Sequence, residues 1–224
     1  MSIGCKIIYD IARPPKAVVE QFSGMPVANI DDNMGRIAAV DATIVPFNKS
    51  PLLGTAFTVR MPAGDNLMFH KAMDLTQPGD VIMIDVGGSV DRSILGELMV
   101  SYCRARGIAG IVCDGAIRDA EALGKLTDFA VYARGVTPNG PYKNGPGEIN
   151  VPVVIGGKLV KPGDIIVGDA DGVIIIDPAD AERLAAATRD TMAKEAKIME
   201  DILTKGEFSR PWVDEKLREI GCAF

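Results

Sequence analysis

Charged side chains placed directly after an apolar segment form the first group of residues that could do chemistry. Asp114-Gly115-Ala116-Ile117-Arg118-Asp119 follows a strand predicted at 108–113. Gly115 predicts a tight turn there, and Arg118 and Asp119 are expected to open a short helix. Arginine presents a fork that suits a carboxylate or an enolate oxygen, and aspartate offers a hard oxygen to magnesium or manganese. The alternative is structural, with Asp119 as a helix cap and Arg118 on the surface.

Two further groups combine acidic residues with glycine. Asp85-Val86-Gly87-Gly88-Ser89 ends the strand predicted at 81–86, and Gly96-Glu97-Leu98-Met99 lies on the helix predicted after it. Gly96 would let a ligand approach the backbone, and Glu97 could complete a metal shell. A glycine-rich turn and a surface glutamate explain this pattern equally well. The third group, Gly64-Asp65-Asn66, either orients a ligand or caps the helix that begins near Leu67.

The composition limits the chemistry that these groups can perform. The 224 residues include one histidine, His70, and four widely spaced cysteines without a C-x-x-C pair. This count disfavours a zinc site built from His and Cys, and it disfavours a catalytic triad unless His70 serves in it. For His70 we expect a helix-packing role in preference to catalysis. Because Walker and dinucleotide glycine loops are also absent from the sequence, the remaining chemistry uses carboxylates, an arginine and a hard cation.

The charge balance indicates the partners and the location of the protein. Thirty acidic residues against 24 basic ones give a net charge of −6, without a run of Lys and Arg. We therefore expect neither a nucleic-acid nor a membrane partner, and we favour small molecules or other protein chains. No signal peptide or membrane span is predicted, and Cys103 and Cys113 lie in apolar segments typical of buried thiols. These features predict reduced cysteines and a cytoplasmic location.

The elements that must position these residues are short and are separated by glycine and proline. The apolar and β-branched segments predict strands at 43–47, 56–60, 81–86, 108–113, 129–133, 151–155, 165–167 and 173–176. Helical spacing predicts helices at 18–21, 68–75, 92–106, 118–123 and 179–203. This order predicts an α/β fold, a mixed layered sandwich with helices on one side of stacked sheets. Pro78-Gly79-Asp80 and Pro162-Gly163-Asp164 each predict a turn that leads into an apolar strand.

Taken together, these motifs resemble the RraA-like family. That family includes 4-hydroxy-4-methyl-2-oxoglutarate (4-carboxy-4-hydroxy-2-oxoadipate) aldolase and the regulator of ribonuclease E activity. The resemblance spans roughly residues 30–176. It rests on segments that stand in the order of the family: Gly64-Asp65-Asn66, Pro78-Gly79-Asp80, Asp85-Val86-Gly87-Gly88, Gly96-Glu97-Leu98, Asp114-Gly115-Ala116-Ile117-Arg118-Asp119, Asn150-Val151-Pro152-Val153, Pro162-Gly163-Asp164 and Asp169-Ala170-Asp171-Gly172-Val173.

The resemblance implies a swivelling β/β/α-type layered sandwich with a C-terminal helical extension. Residues 1–176 would form the core with an N-terminal helix, and residues 177–224 would form an extension that packs on a neighbouring subunit, all within one domain. The family further implies homotrimers or homohexamers with active sites between subunits, and a divalent metal, Mg²⁺ or Mn²⁺. The implied enzyme is a carbon–carbon lyase that releases pyruvate from a branched 2-oxo acid and also decarboxylates oxaloacetate.

The resemblance also implies roles for individual residues. Arg118 would bind the pyruvyl group and stabilise its enolate, and Asp119 would act in catalysis by holding the metal. The substrate carboxylate would be contacted by the segment Gly96, Glu97, Leu98 and Met99, with Glu97 near the metal. A glutamate from the C-terminal helix of a neighbouring subunit would complete the metal site: Glu195, or Glu200 as the fallback.

Two alternatives to the aldolase stay open. One is a non-catalytic regulator of the ribonuclease E type, whose core is similar but which lacks the extended acidic C-terminal helix. The other is a related lyase or hydrolase of sugar-acid catabolism that keeps the metal site and acts on another carbon skeleton. The extended helix in this sequence favours the enzyme over the regulator.

Overall fold

Residues 3–223 are described in the computed structural model of the chain, and their strands form one mixed sheet and a separate hairpin. The strands are β1 (Cys5–Ile7), β2 (Val45–Pro46), β3 (Leu52–Arg60), β4 (Asp80–Asp85), β5 (Ser93–Leu95), β6 (Gly110–Ile117), β7 (Ala130–Val136), β8 (Gly147–Ile149), β9 (Val153–Ile155), β10 (Lys158–Val160), β11 (Ile165–Asp169) and β12 (Gly172–Ile176). The α-helices are α1 (Lys16–Val19), α2 (Val27–Asp32), α3 (Leu67–Leu75), α4 (Glu97–Ala105), α5 (Ala120–Gly124), α6 (Ala181–Lys205) and α7 (Pro211–Glu219).

The centre of the sheet consists of four parallel strands in the order β3-β4-β6-β7. Helices α3, α4 and α5 lie between successive members of this set in the chain, as parallel connections require. The carboxyl ends of β3, β4, β6 and β7 therefore meet at one edge of the sheet. In open α/β sheets this edge is where ligands bind, so residues that follow these strands are the first candidates for a site.

Three hydrophobic clusters separate the layers of the fold. One face of β3 and β4 packs with α3 and α4 through residues such as Phe57 and Ile82. The other face packs toward the β9–β10 hairpin and β11–β12 through residues such as Met83 and Ile166. The outer face of β11–β12 contacts α2 and α6, with Ile174 buried between them. The expected α/β layered sandwich is confirmed, but helices cover both outer sides of the layered strands and not one side alone.

Two expectations about the region between β4 and α5 were wrong. The helix expected from residue 92 starts only at Glu97, because Ser93–Leu95 pairs with β6 as β5. The turn expected at Gly115 is absent, since β6 continues to Ile117. A Cβ at Gly115 would collide with Cγ2 of Val86. Glycine is therefore needed here for close packing between segments and not for a change of chain direction.

The two Pro-Gly-Asp segments form the same turn, as their sequences predict. Asp80 accepts a hydrogen bond from the backbone N–H of Gln77 at 2.8 Å, and Asp164 accepts one from Lys161 at 2.7 Å. Each aspartate is buried at the start of a strand or just before it. The resemblance between these segments is thus a repeated turn that fixes the entry of an apolar strand.

The C-terminal extension begins in contact with its own chain and then leaves it. Ala181, Leu184, Ala185 and Thr188 are buried against the core, whereas the later turns of α6 and all of α7 have no buried residue. The last strand, β12, ends at Ile176, and Met1, Ser2 and Phe224 lie outside the described residues. Within 3–223 no helix combines the length and the apolar character needed to cross a bilayer.

Candidate active site

Arg118 and Asp119 lie directly after β6, at the carboxyl edge of the parallel strands. Asp119 is the N-terminal cap residue of α5 and adopts a left-handed conformation with φ 58° and ψ 34°. This conformation is uncommon for residues other than glycine, and backbone strain of this kind concentrates at functional sites. Both side chains remain about half exposed, with their ionic groups 3.8 Å apart. The expected short helix is present, but it begins at Ala120 and not at Arg118, and both charges are accessible to a ligand.

Gly96 brings a second segment against this pair. The backbone N–H of Glu97 donates to Oδ2 of Asp119 at 2.9 Å. A Cβ at Gly96 would collide with that same oxygen and would lie 2.8 Å from Cγ of Arg118. Only glycine allows this approach. The Gly96-Glu97 motif and the Arg118-Asp119 motif, which are separate in the sequence, therefore meet in the fold.

The N-terminus of α4 adds hydrogen-bond donors to the site. Its helical ladder begins where the N–H of Val100 donates to the carbonyl of Gly96 at 3.1 Å. The N–H groups of Leu98 and Met99 precede the ladder and have no intrahelical acceptor. Because the helix dipole is also positive at this end, the backbone of the segment favours a bound anion.

A cleft of about 320 Å³ opens beside these groups. Its lining includes Arg118 and Met99 together with Asn66, His70 and Lys143. Asn66 donates to the carbonyl of Ile94 at 2.8 Å and so holds β5 next to Gly96. The cleft is therefore bordered by a cationic side chain at Arg118 and a second one at Lys143, an arrangement that suits a ligand with more than one anionic group.

His70 lies on the exposed side of α3 at this cleft, which contradicts the packing role expected from the sequence. Partial burial, and after it the positive charge of Lys143, lower the pKa of His70 below its ordinary value, while Asp74 opposes them. No sequence motif pointed to Lys143. The frequent Gly and Pro residues at 137–146 indicate only that it lies in a loop.

The carboxylates of the site fit a hard cation. Asp119 uses Oδ2 for the bond to Glu97, and the side chains of Asp119 and Glu97 are both accessible. Magnesium is commonly bound by one or two carboxylates while it keeps water and substrate ligands, whereas zinc favours His and Cys. Residues 3–223 contain no cluster of three or more His, Cys, Asp or Glu able to hold a metal. The donors present thus suit Mg²⁺ or Mn²⁺ with an incomplete protein shell.

Glu195 does not join this site within a single chain. Its Oε2 accepts a hydrogen bond from Asn29 at 2.5 Å, at the contact between α2 and α6. Glu200 lies farther along α6 with an exposed side chain. A contribution of either glutamate to the site of a neighbouring subunit stays a prediction.

Asp85 and Asp114 hold the sheet to the β9–β10 hairpin. Their sequence motifs had made them candidates for the site. Asp85 accepts from the N–H of Val154 at 3.2 Å. Asp114 is buried, accepts from the N–H of Gly156 at 2.7 Å and pairs with Arg134. Both carboxylates thus hold elements of the fold together, and the candidate site is left to the residues after them.

Comparisons with known proteins show which family this chain is similar to. A family model described as RraA-like, aldolase/RraA, matches residues 27–175. A protein of Halalkalibacterium halodurans, provisionally named 4-hydroxy-4-methyl-2-oxoglutarate aldolase, is 39% identical over 190 residues, which cover 83% of this chain and 90% of that protein.

Solved structures agree in fold. An uncharacterized protein from Pseudomonas syringae pv. tomato matches with a TM-score of 0.78 at 23% identity, covering 88% of this chain and 98% of that one. A Streptomyces coelicolor structure, described as an unusual member of the RNase ES inhibitor RraA protein family, matches with a TM-score of 0.74 at 25% identity, covering 84% of this chain and all 100% of that one. The family model covers about two thirds of the chain and the Halalkalibacterium halodurans relative is 39% identical, so the chain belongs to the RraA-like family.

Proposed function

We propose that this protein is a divalent-metal-dependent aldolase, a pyruvate-releasing carbon–carbon lyase. Its substrate would be 4-hydroxy-4-methyl-2-oxoglutarate or 4-carboxy-4-hydroxy-2-oxoadipate, cleaved to pyruvate and a second 2-oxo acid, with oxaloacetate decarboxylation as a companion activity. The observation that carries this proposal is the contact of Gly96 and Glu97 with Arg118 and Asp119, next to the cleft that Gly96 and Arg118 line. The name of the Halalkalibacterium halodurans relative supports the same reaction.

Different residues of the cleft would bind the substrate and stabilise the negative charge that develops on it. The guanidinium of Arg118 would donate to the 2-oxo oxygen, where negative charge develops as the bond between C3 and C4 breaks. The N–H groups of Leu98 and Met99 would bind the adjacent carboxylate. The C4 hydroxyl would pass its proton to a nearby carboxylate or water as the second 2-oxo acid forms, and the same group would return a proton to C3 of the pyruvate enolate. Lys143 would bind a second carboxylate: the one attached to C4 of the branched substrates, or the C4 carboxylate of oxaloacetate before it leaves as CO₂.

Asp119 and Glu97 are the residues that would hold the cation in this chain. When bound, Mg²⁺ or Mn²⁺ supplies Lewis-acid polarisation of the 2-oxo group. Asp119 is held for this task by the N–H of Glu97 and by its place at the start of α5. The bond to Glu97 fixes the carboxylate next to the Arg118 guanidinium.

The assembly and location complete the proposal. The protein would form a homotrimer or homohexamer in the cytoplasm, with Glu195, or Glu200 in its place, reaching the metal of a neighbouring subunit. The outer turns of α6 support this, because none of their residues is buried against the described part of the chain, 3–223. No nucleic-acid or membrane partner is proposed for an acidic protein with this site.

The decisive experiment is a coupled pyruvate assay with oxaloacetate and with 4-hydroxy-4-methyl-2-oxoglutarate, in the presence of Mg²⁺, Mn²⁺ or a chelator. We expect activity with metal, and its loss on chelation and in Arg118→Ala. Arg104→Ala is the matched control, because Arg104 pairs with Asp128 on the surface. Activity that survives both chelation and Arg118→Ala would refute the proposal.

A second candidate is a non-catalytic regulator of ribonuclease E type activity, which the description of the Streptomyces coelicolor structure favours. It requires that no 2-oxo acid be turned over and that the protein bind a ribonuclease and inhibit RNA cleavage. Inhibition that persists in Arg118→Ala, with no pyruvate formed by the wild type, would favour the regulator. A related lyase of sugar-acid catabolism would instead show metal-dependent cleavage of another 2-oxo acid.

A further inference from the structure

The loop at 137–146 forms one wall of the cleft. It contributes Gly140, Pro141 and Lys143 to the lining. Gly140 approaches the reactive cation closely, since a Cβ there would lie 3.7 Å from Nη1 of Arg118. The position of this loop therefore determines which groups face a ligand bound to Arg118.

Several hydrogen bonds fix the loop, among them two between the backbone of Tyr142 and the backbones of Gly64 and Asn66, at 2.8 and 3.0 Å. Ser93 donates to the carbonyl of Asn139 through its N–H and its Oγ, both at 2.8 Å. Arg92 donates to the carbonyl of Gly140 at 2.7 Å. At the far end, Oδ2 of Asp65 accepts from the N–H groups of Asn144 and Gly145, at 2.6 and 3.0 Å. This last anchor directly follows Lys143 in the chain.

Asp65 is unusual because its carboxylate is almost fully buried, with 4% of the residue exposed. Its other oxygen, Oδ1, accepts from the N–H of Leu67 at 2.9 Å, at the start of α3. No ion pair of residues 3–223 includes Asp65. Backbone amides alone thus satisfy a buried charge, and bonds of this type are strong and directional.

We propose that Asp65 is a positioning residue that selects dicarboxylic 2-oxo acids. By holding Asn144 and Gly145, it fixes Lys143 in the cleft beside Arg118, and by holding Leu67 it joins that wall to the helix that carries His70. A displaced Lys143 weakens binding of the second carboxylate and leaves Arg118 and Asp119 in place. This inference rests on the function proposed above, and it predicts a change in KM at nearly constant kcat.

Asp65→Asn tests the inference with little change in shape. The amide keeps one acceptor oxygen, but its NH₂ group cannot accept a hydrogen bond. It would face either the N–H of Leu67 or the N–H groups of Asn144 and Gly145. We expect the KM for oxaloacetate to rise about tenfold, with kcat within about a factor of two. The matched control is Asp164→Asn, because Asp164 is also buried and accepts from a backbone N–H, in a turn outside the cleft. An unchanged KM in Asp65→Asn, or an equal rise in Asp164→Asn, overturns the inference.

A double-mutant cycle with Lys143→Met tests whether Asp65 acts through Lys143. Lys143→Met should itself raise the KM for oxaloacetate. Adding Asp65→Asn to Lys143→Met should then raise it by less than about twofold, since coupled residues do not have additive effects. Effects that simply multiply would show that Asp65 acts independently of Lys143, and they would overturn the proposal.

Amide hydrogen exchange tests the anchor without any turnover. The amides of Asn144 and Gly145 should exchange slowly in the wild type and faster in Asp65→Asn, while the amide of Lys161 should not change. Unchanged exchange at Asn144 and Gly145 overturns the inference whatever the enzyme does. A wild type that forms no pyruvate contradicts the proposed function, whereas an active wild type matched in KM by Asp65→Asn contradicts this inference alone.

Discussion

The backbone N–H of Glu97 donates to Oδ2 of Asp119 at 2.9 Å, although 22 residues separate them in the chain. The bond joins the start of α4 to the residue that follows β6. It forms only because Gly96 has no side chain at the point of contact. The N-terminus of α4, which favours anions, therefore contacts the Asp119 carboxylate, which suits a cation. Arg118 lies next to both.

Gly96→Ala should separate these elements without unfolding the protein. The added Cβ would collide with Oδ2 of Asp119 and with Cγ of Arg118, and both side chains are exposed enough to move away. We expect kcat for oxaloacetate to fall about 10²-fold, because small displacements of reacting groups are costly. Gly124→Ala is the control, since a Cβ there meets its nearest atom at 3.4 Å. Equal activity in both variants would contradict this role for Gly96.

Asp119→Asn should weaken metal binding while it preserves the backbone. Asparagine tolerates the left-handed conformation found at this position and can still accept from Glu97. The Mn²⁺ concentration for half-maximal activity should rise by about 10-fold to 100-fold. Titration of activity with Mn²⁺ measures the shift, and Asp128→Asn, at an exposed surface pair, should leave it unchanged. An unaltered Mn²⁺ requirement would remove Asp119 from the metal site.

Glu195→Gln should lower kcat about a hundredfold if Glu195 acts at the site of a neighbouring subunit. Asn29→Ala is the control, because it removes the same hydrogen bond within the chain and keeps the carboxylate. Mixed oligomers of Glu195→Gln and Arg118→Ala chains should regain activity at interfaces that combine both intact residues. Failure of Glu195→Gln to affect kcat, together with a loss in Glu200→Gln, would assign the role to Glu200.

Arg13→Ala should destabilise the fold through Asp80. The Asp80 side chain is 0% exposed and pairs with Arg13 at 2.7 Å, and that hydrogen bond raises the pKa of Arg13. Removing Arg13 leaves a buried charge without its cation, so we expect a loss of about 3 kcal/mol in the free energy of unfolding. Arg183→Ala breaks an exposed pair with Asp180 and should cost less than about 1 kcal/mol. Urea denaturation compares them, and equal losses would refute the distinction.

Local sequence features determined most of the elements and the class of chemistry. Apolar segments of strand length, such as 81–86 and 108–113, become buried strands because their side chains can be covered on both faces. A single histidine and scattered cysteines disfavoured zinc, and the motif at Arg118 and Asp119 indicated an anion and a hard cation. The resemblance to the RraA-like family, drawn from these motifs, is confirmed by the family model.

The partners of each residue were decided only by the tertiary structure. Asp85 and Asp114 resemble ligands in the sequence, yet they hold the β9–β10 hairpin, whereas Lys143, which carried no signal, lines the cleft. Periodicity shows which face of an element is apolar, but it does not show which distant segments meet. That depends on the order of strands and on crossovers spanning tens of residues. The sequence therefore indicated what chemistry is available, and the contact between the start of α4 and the residues after β6 brought the candidate residues together.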